Sequence, residues 1–115
     1  MDHREPPIYK ASYEFTLAAT RFVRDCDGAY KFTLGHLLQS KTLDMQTTIY
    51  QINEAENKGL ALQIALNRAY YLKMLLRLFM DMSLMKLEVN ITLHSLLEEV
   101  TKQLQGWKKA ENKKV

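Results

Sequence analysis

Hydrophobic side chains recur every three or four residues along most of the chain, which is the spacing of one face of an α-helix. The repeats predict four helices, over about residues 8–26, 33–57, 60–82 and 86–109. Residues that favour turns separate them, at 25–28, 57–59 and 83–86. Thr33 is expected to cap the second helix, because its hydroxyl can accept a hydrogen bond from an exposed backbone N–H.

The lengths of these segments predict the architecture. Helices of about 18 to 25 residues joined by short connections pack beside their neighbours in the chain. We therefore expect a single all-α domain over residues 1–115, an antiparallel up-down-up-down four-helix bundle. The polar or charged ends, residues 1–7 and 110–115, are expected to be flexible.

The third predicted helix is too apolar for a helix that buries only one side. Its apolar positions cover well over half of its circumference, whereas a helix at the surface of a bundle needs a narrower stripe. We expect it to be buried on more than one side, by its own bundle or by a second subunit. Arg68 lies near the middle of this apolar arc. It either extends to the edge of the bundle or forms an ion pair across an interface.

Two further apolar stripes lie away from the core faces of the first two helices. Tyr9, Tyr13 and Leu17 form one stripe, and Leu43 and Tyr50 form the other. Two such stripes on adjacent helices indicate a contact surface, and with the third helix they predict a homo-oligomer. The predicted interface residues are Tyr9, Tyr13, Leu43, Tyr50 and Arg68.

The residues that carry chemistry do not form a recognisable catalytic or metal site. Cys26 is the single cysteine, which excludes an internal disulfide, and it is expected to be a small buried side chain on the first helix. His3, His36 and His94 lack partners at the spacing of a zinc or di-metal site. We expect no enzymatic activity, cofactor or metal. Without a long apolar run or a signal-peptide pattern, the protein is expected in the cytoplasm and outside membranes.

The charge pattern leaves two interpretations open. The net charge is +3, and acidic residues are interleaved with the basic ones. In one chain this pattern is typical of a solvated surface more often than of a nucleic-acid footprint. In a ring of five subunits the charge would total about +15, and symmetry would align the basic patches.

Four short motifs, in order along the chain, resemble a known family. They are PIYKASYE at 7–14, YKFTLG at 30–35, LLRL at 75–78 with Asp81, and LQGW at 104–107. Together they resemble the four-helix-bundle proteins related to ribosomal-RNA intervening-sequence proteins. Within that group the resemblance is greatest to the accessory variability determinant proteins of diversity-generating retroelements, and it extends from Pro7 to Trp107.

The resemblance implies a non-enzymatic partner of a reverse transcriptase. Members of the family form pentamers whose basic surface binds the enzyme and its template RNA or cDNA, and they support mutagenic reverse transcription. Lys10, Lys31 and Arg77 match basic motif positions. The charge pattern adds Arg24, Lys102, Lys108 and Lys109. The alternative is a structural or protein-interaction bundle of the wider family that does not bind nucleic acid.

Overall fold

Helices account for every regular element in the described part of the chain. The computed structural model describes residues 6–114. The elements are α1 (Pro7–Arg24), the single turn α2 (Gly28–Tyr30), a π-helical turn (Lys31–Gly35), α3 (His36–Gln51), a 3₁₀ turn (Ile52–Glu54), α4 (Lys58–Asp81) and α5 (Leu87–Asn112). The prediction of an all-helical chain with four long helices is confirmed.

The four long helices enclose one hydrophobic core. Both α1 and α4 contact α3 and α5, so each long helix has two neighbours. Near the ends of α1 and α4, the half-buried Phe22 packs edge-on against the fully buried Phe79, with 5.4 Å between the ring centroids. The hydrophobic repeats that predict the first, second and fourth helices supply much of the core: Ile8, Ala11, Phe15, Ala19, Leu38, Met45, Ile49, Ile52, Leu93, Leu97, Val100 and Leu104.

Polar side chains hold α1 and α3 in a defined register. Gln46 Nε2 donates to Ser12 Oγ over 3.1 Å, and the Thr16 hydroxyl lies 2.7 Å from Gln46 Oε1. Towards the start of α1, Asn53 donates to the Tyr9 hydroxyl over 2.9 Å.

The second helical segment begins earlier than the sequence pattern predicts. It starts at Gly28, and Thr33 lies inside the π-helical turn. The prediction that Thr33 caps this helix is wrong, because its hydroxyl donates to the Tyr30 carbonyl oxygen, 3.3 Å away. Gly35 accommodates the wider turn, since a Cβ at this position would stand 3.3 Å from the same carbonyl oxygen.

The two ends of α4 show how the connections differ from the predicted ones. Asn57 caps α4 by accepting from the Leu60 backbone N–H over 3.0 Å. The preceding helix therefore cannot continue to residue 57, and α3 ends at Gln51. After α4, Ser83 has a φ of 56°, a left-handed conformation that glycine usually provides at the end of a helix.

The predictions for the chain ends also need correction. Pro7 was expected in a flexible segment, but it is the first residue of α1, where its missing N–H costs nothing. The last helix extends beyond residue 109 to Asn112, and a Glu111–Lys114 ion pair of 3.1 Å supports its final turn. Residues 1–5 and 115, which were also expected to be flexible, lie outside the described residues.

Candidate functional site

Tyr9, Tyr13, Leu43 and Tyr50 lie on one side of the bundle, along the line where α1 meets α3. We call this set the tyrosine surface. The rings of Tyr9 and Tyr50 stack, with 4.7 Å between their centroids. Tyr13, Leu43 and Tyr50 are 48%, 47% and 45% exposed. The packing of α1 on α3 therefore joins Tyr9 and Tyr13 of one predicted stripe to Leu43 and Tyr50 of the other in one surface, which does not include Leu17.

A second apolar surface runs along α4 and faces solvent. It consists of Leu60, Ile64, Tyr71, Met74 and Met82, each more than one third exposed, and we call it the α4 stripe. The opposite side of α4 supplies fully buried core residues. The wide apolar arc of this helix therefore has two separate sides. Within one chain the core side is buried, and the α4 stripe is exposed to solvent.

Sequence reasoning missed Tyr71, Met74 and Met82 as surface residues. The available signal was their spacing, because these residues and Ile64 recur at intervals typical of one helix face. The pattern alone could not separate this stripe from the core stripe, since both are apolar and together they surround most of the helix.

Arg68 lies in the groove between α3 and α4, beside the α4 stripe. Its guanidinium donates to the Thr48 hydroxyl and, over 3.2 Å, to the Asp44 carbonyl oxygen. The side chain is exposed, so within one chain it extends to the edge of the bundle, which was one of the two alternatives. In the same groove, the Lys41 ammonium lies 5.6 Å from the centroid of the Tyr71 ring.

Three of the predicted basic binding residues are paired with carboxylates. The pairs are Lys10–Glu14 at 3.9 Å, Arg24–Asp25 at 2.9 Å and Arg77–Asp81 at 3.7 Å. The hydrogen bonds from Arg24 hold the pKa of Asp25 below its ordinary value, because they stabilise the charged carboxylate. These exposed pairs contribute little to stability, but they neutralise charge that could otherwise attract phosphate.

The other four predicted basic residues form no salt bridge with a carboxylate in residues 6–114; they are Lys31, Lys102, Lys108 and Lys109. Lys31 donates to the Arg24 carbonyl oxygen over 3.3 Å, which places these two residues together at the end of α1. Lys108 and Lys109 lie near the end of α5, and Lys102 lies in its second half. The start of α5, rather than its last turns, lies near the end of α1. The predicted basic residues are therefore divided between the two ends of the bundle.

An open cavity of about 630 Å³ lies between the end of α1 and the start of α5. Its lining includes apolar Phe22 and Val89, acidic Asp25 and Glu88, and Cys26. Cys26 is half-buried and lies beyond the end of α1. The prediction that it is a buried residue of the first helix is wrong, because the helix ends two residues earlier.

Metal ligands, membrane-spanning helices and similarity to known proteins give little further information on the function of the chain. Within residues 6–114, no group of three or more His, Cys, Asp or Glu side chains could hold a metal ion. None of the helices in this range has the length and apolar character needed to cross a membrane.

Neither a protein-family model nor a curated protein matches the chain. Its function must therefore be inferred from the surfaces described above.

Proposed function

We propose that this protein is a non-catalytic, homo-oligomeric accessory protein of a diversity-generating retroelement that acts in the cytoplasm. In this role it binds a reverse transcriptase and its template RNA or cDNA, and it supports mutagenic reverse transcription. The observation that carries the proposal is the pair of exposed apolar surfaces, the tyrosine surface and the α4 stripe. Extended apolar surfaces of this kind are typical of proteins that act through contact with other proteins.

The positions of three of the four resembling motifs support this proposal. Tyr9 and Tyr13 of the first motif belong to the tyrosine surface. The second motif coincides with the π-helical turn, where Phe32 is 82% exposed. Arg77 of the third motif is also exposed. The motifs therefore present side chains that a partner can reach, rather than supplying core residues alone.

We also infer that the long helices run antiparallel, in the order up-down-up-down. The hydrogen bonds between α1 and α3 support this arrangement, and the contacts between α4 and α5 follow the same rule. Lys73 donates to Glu98, whereas Gln63, earlier in α4, accepts from Lys108, later in α5. This topology brings the first turns of α1 to the same end of the bundle as the last turns of α5.

The oligomer supplies the positive charge that one chain lacks. Five subunits, the number implied by the resemblance, would carry about +15 and repeat the basic ends of the bundle around a symmetry axis. A field of that strength attracts an anionic polymer even though several basic residues in each chain are paired with carboxylates.

RNA binding is expected to weaken steeply as salt concentration rises, because binding releases counterions from the phosphates. The double substitution of Lys102→Glu and Lys109→Glu should lower affinity for single-stranded RNA at least about tenfold at low salt. Both side chains are exposed and form no ion pair with a described carboxylate. Fluorescence anisotropy with labelled RNA at two salt concentrations measures both effects.

The matched control for this experiment is the double substitution of Arg21→Glu and Lys86→Glu, two exposed residues at the end of α1 and the start of α5, away from the last turns of α5. It changes the net charge by the same amount, from +3 to −1, at basic residues outside the predicted binding set. The control should retain most of the RNA affinity. An equal loss in both variants would mean that total charge, and not the end of α5, determines binding. Failure of the wild-type protein to bind RNA at low salt would eliminate the nucleic-acid part of the proposal.

A structural or protein-interaction bundle of the wider intervening-sequence family is the second candidate. The pairing of Lys10, Arg24 and Arg77 with carboxylates favours it, because these residues then have less free charge to offer to phosphates. This candidate predicts the same self-association without affinity for RNA. The RNA-binding measurement therefore separates the two functions.

A further inference from the structure

We propose that copies of this chain join head to tail, with the tyrosine surface of one copy packed on the α4 stripe of the next. This inference rests on the proposed homo-oligomer and assigns the two surfaces that form its repeated contact. Between Lys58 and Lys73, α4 has Arg68 as its single charged residue. The solvent face of a helix normally carries several charged residues. The α4 stripe is therefore expected to be covered in the assembled protein.

The two surfaces correspond in size. Their exposed fractions amount to roughly 500 Å² on the α4 stripe and roughly 350 Å² on the tyrosine surface, taking about 200–260 Å² for a whole residue. With flanking side chains, a contact between them buries about 1,000 Å² in total, which is the size at which specific protein interfaces begin.

The two surfaces are also chemically complementary. The tyrosine surface presents aromatic rings at Tyr13 and Tyr50. The groove beside the α4 stripe holds the cationic side chains of Lys41 and Arg68. Cations bind favourably over the faces of aromatic rings, and the gain increases when the pair is removed from water. Arg68 thereby takes part in an oligomer contact without needing a carboxylate from the partner.

Head-to-tail pairing covers both surfaces with a single kind of contact. If each surface paired with its own copy instead, two different two-fold contacts would be needed, as in a tetramer with dihedral symmetry. A single heterologous contact can close on itself, because every subunit offers one surface to each neighbour. The presence of two unlike apolar surfaces on one chain therefore favours the head-to-tail arrangement.

The positions of the surfaces on either side of α3 favour closure into a ring. On one flank, α3 contacts α1 and carries Leu43 and Tyr50; on the other flank, it contacts α4 and accepts hydrogen bonds from Arg68. The surfaces thus lie on neighbouring sides of the bundle. A heterologous contact closes into a ring when its rotations add up to a full turn, and surfaces on neighbouring sides of the bundle rotate each subunit relative to the last.

Two single variants test this arrangement, each with a carboxylate placed on one surface. Leu43→Glu changes the tyrosine surface and Met74→Glu changes the α4 stripe, and the two side chains are 47% and 48% exposed. Each variant alone should lose self-association by at least about 100-fold, since the new charge would be buried without a partner. Mixed in equal amounts, they should form a complex of two chains and no larger species. Light scattering, with a subunit mass of 13.4 kDa, measures these masses.

Phe32→Glu is the matched control, because Phe32 is 82% exposed and lies outside both surfaces. It should retain the wild-type mass. Circular dichroism must show equal helix content in all variants. Tyr13→Lys and Ile64→Lys provide a second pair of the opposite charge, so that a folding defect in one variant does not decide the result.

The outcomes distinguish this inference from the proposed function. A monomeric wild-type protein would overturn both. If the wild-type protein is an oligomer that only Met74→Glu disrupts, two α4 stripes pair with each other. If neither variant disrupts the oligomer, the contact lies elsewhere on the bundle. Either of these two results would overturn the head-to-tail assignment and leave the homo-oligomer standing.

Discussion

Replacing Phe79 with alanine is expected to lower the free energy of unfolding by about 3–5 kcal/mol. The side chain is fully buried and packs edge-on against Phe22, so the substitution removes an aromatic ring from the hydrophobic core. The surrounding helices can collapse only partly into the cavity, which adds to the lost hydrophobic transfer energy. Urea denaturation followed by circular dichroism measures the change, which corresponds to a fall of about 10–25 °C in Tm.

Phe32→Ala provides the matched control for Phe79→Ala. It makes the same chemical change at a side chain that is 82% exposed, and it should alter stability by less than about 0.5 kcal/mol. Both variants must be compared at one protein concentration, because self-association makes Tm depend on concentration. A loss of less than about 1 kcal/mol in Phe79→Ala would contradict the packing described for the core.

Replacing Thr16 with valine is expected to cost about 1–3 kcal/mol, although the two side chains have nearly the same shape. The Thr16 hydroxyl lies 2.7 Å from Gln46 Oε1 in the buried contact between α1 and α3, and 2.9 Å from the Ser12 carbonyl oxygen, to which its one hydrogen can also be donated. Without this hydroxyl, the Gln46 oxygen loses its partner while it remains shielded from water. Chemical denaturation of the single variant measures this cost.

Two companion variants show whether the lost hydrogen bond is the cause. Adding Gln46→Leu to Thr16→Val removes the unsatisfied oxygen and should recover much of the lost stability, because both partners are then apolar. Thr20→Val is the matched surface control: Thr20 also pairs with an amide of α3, that of Gln39, but in an exposed position where water can replace the bond. A cost for Thr20→Val equal to that of Thr16→Val would contradict the explanation by burial.

The existence of the four long helices and most of the core could be predicted from spacing alone. An amphipathic repeat that lasts for four or more turns predicts a helix packed on a core, because leaving its apolar face in water would be unfavourable along the whole helix. Phe15, Leu38 and Leu97 belong to the repeats that predict the first, second and fourth of these helices, and all three are fully buried.

The helix boundaries were less predictable, because they depend on competition between local hydrogen bonds. Thr33 has a side chain typical of a cap, but its hydroxyl bonds to the Tyr30 carbonyl inside a π-helical turn. Asn57 has an equally suitable side chain and does cap α4. Nothing in the residue type of Ser83 indicates its left-handed backbone, which the turn between α4 and α5 requires.

The sequence by itself determined that this protein is helical, that its helices have apolar faces, and that the third long helix is more apolar than one bundle needs. The tertiary structure decided which apolar positions are buried. It joined Tyr9 and Tyr13 to Leu43 and Tyr50 in one surface, and it left the α4 stripe exposed. It also divided the predicted basic residues between two ends. The physical reason is that periodicity gives the direction of a side chain around its helix, whereas only packing determines which neighbour, or solvent, lies in that direction.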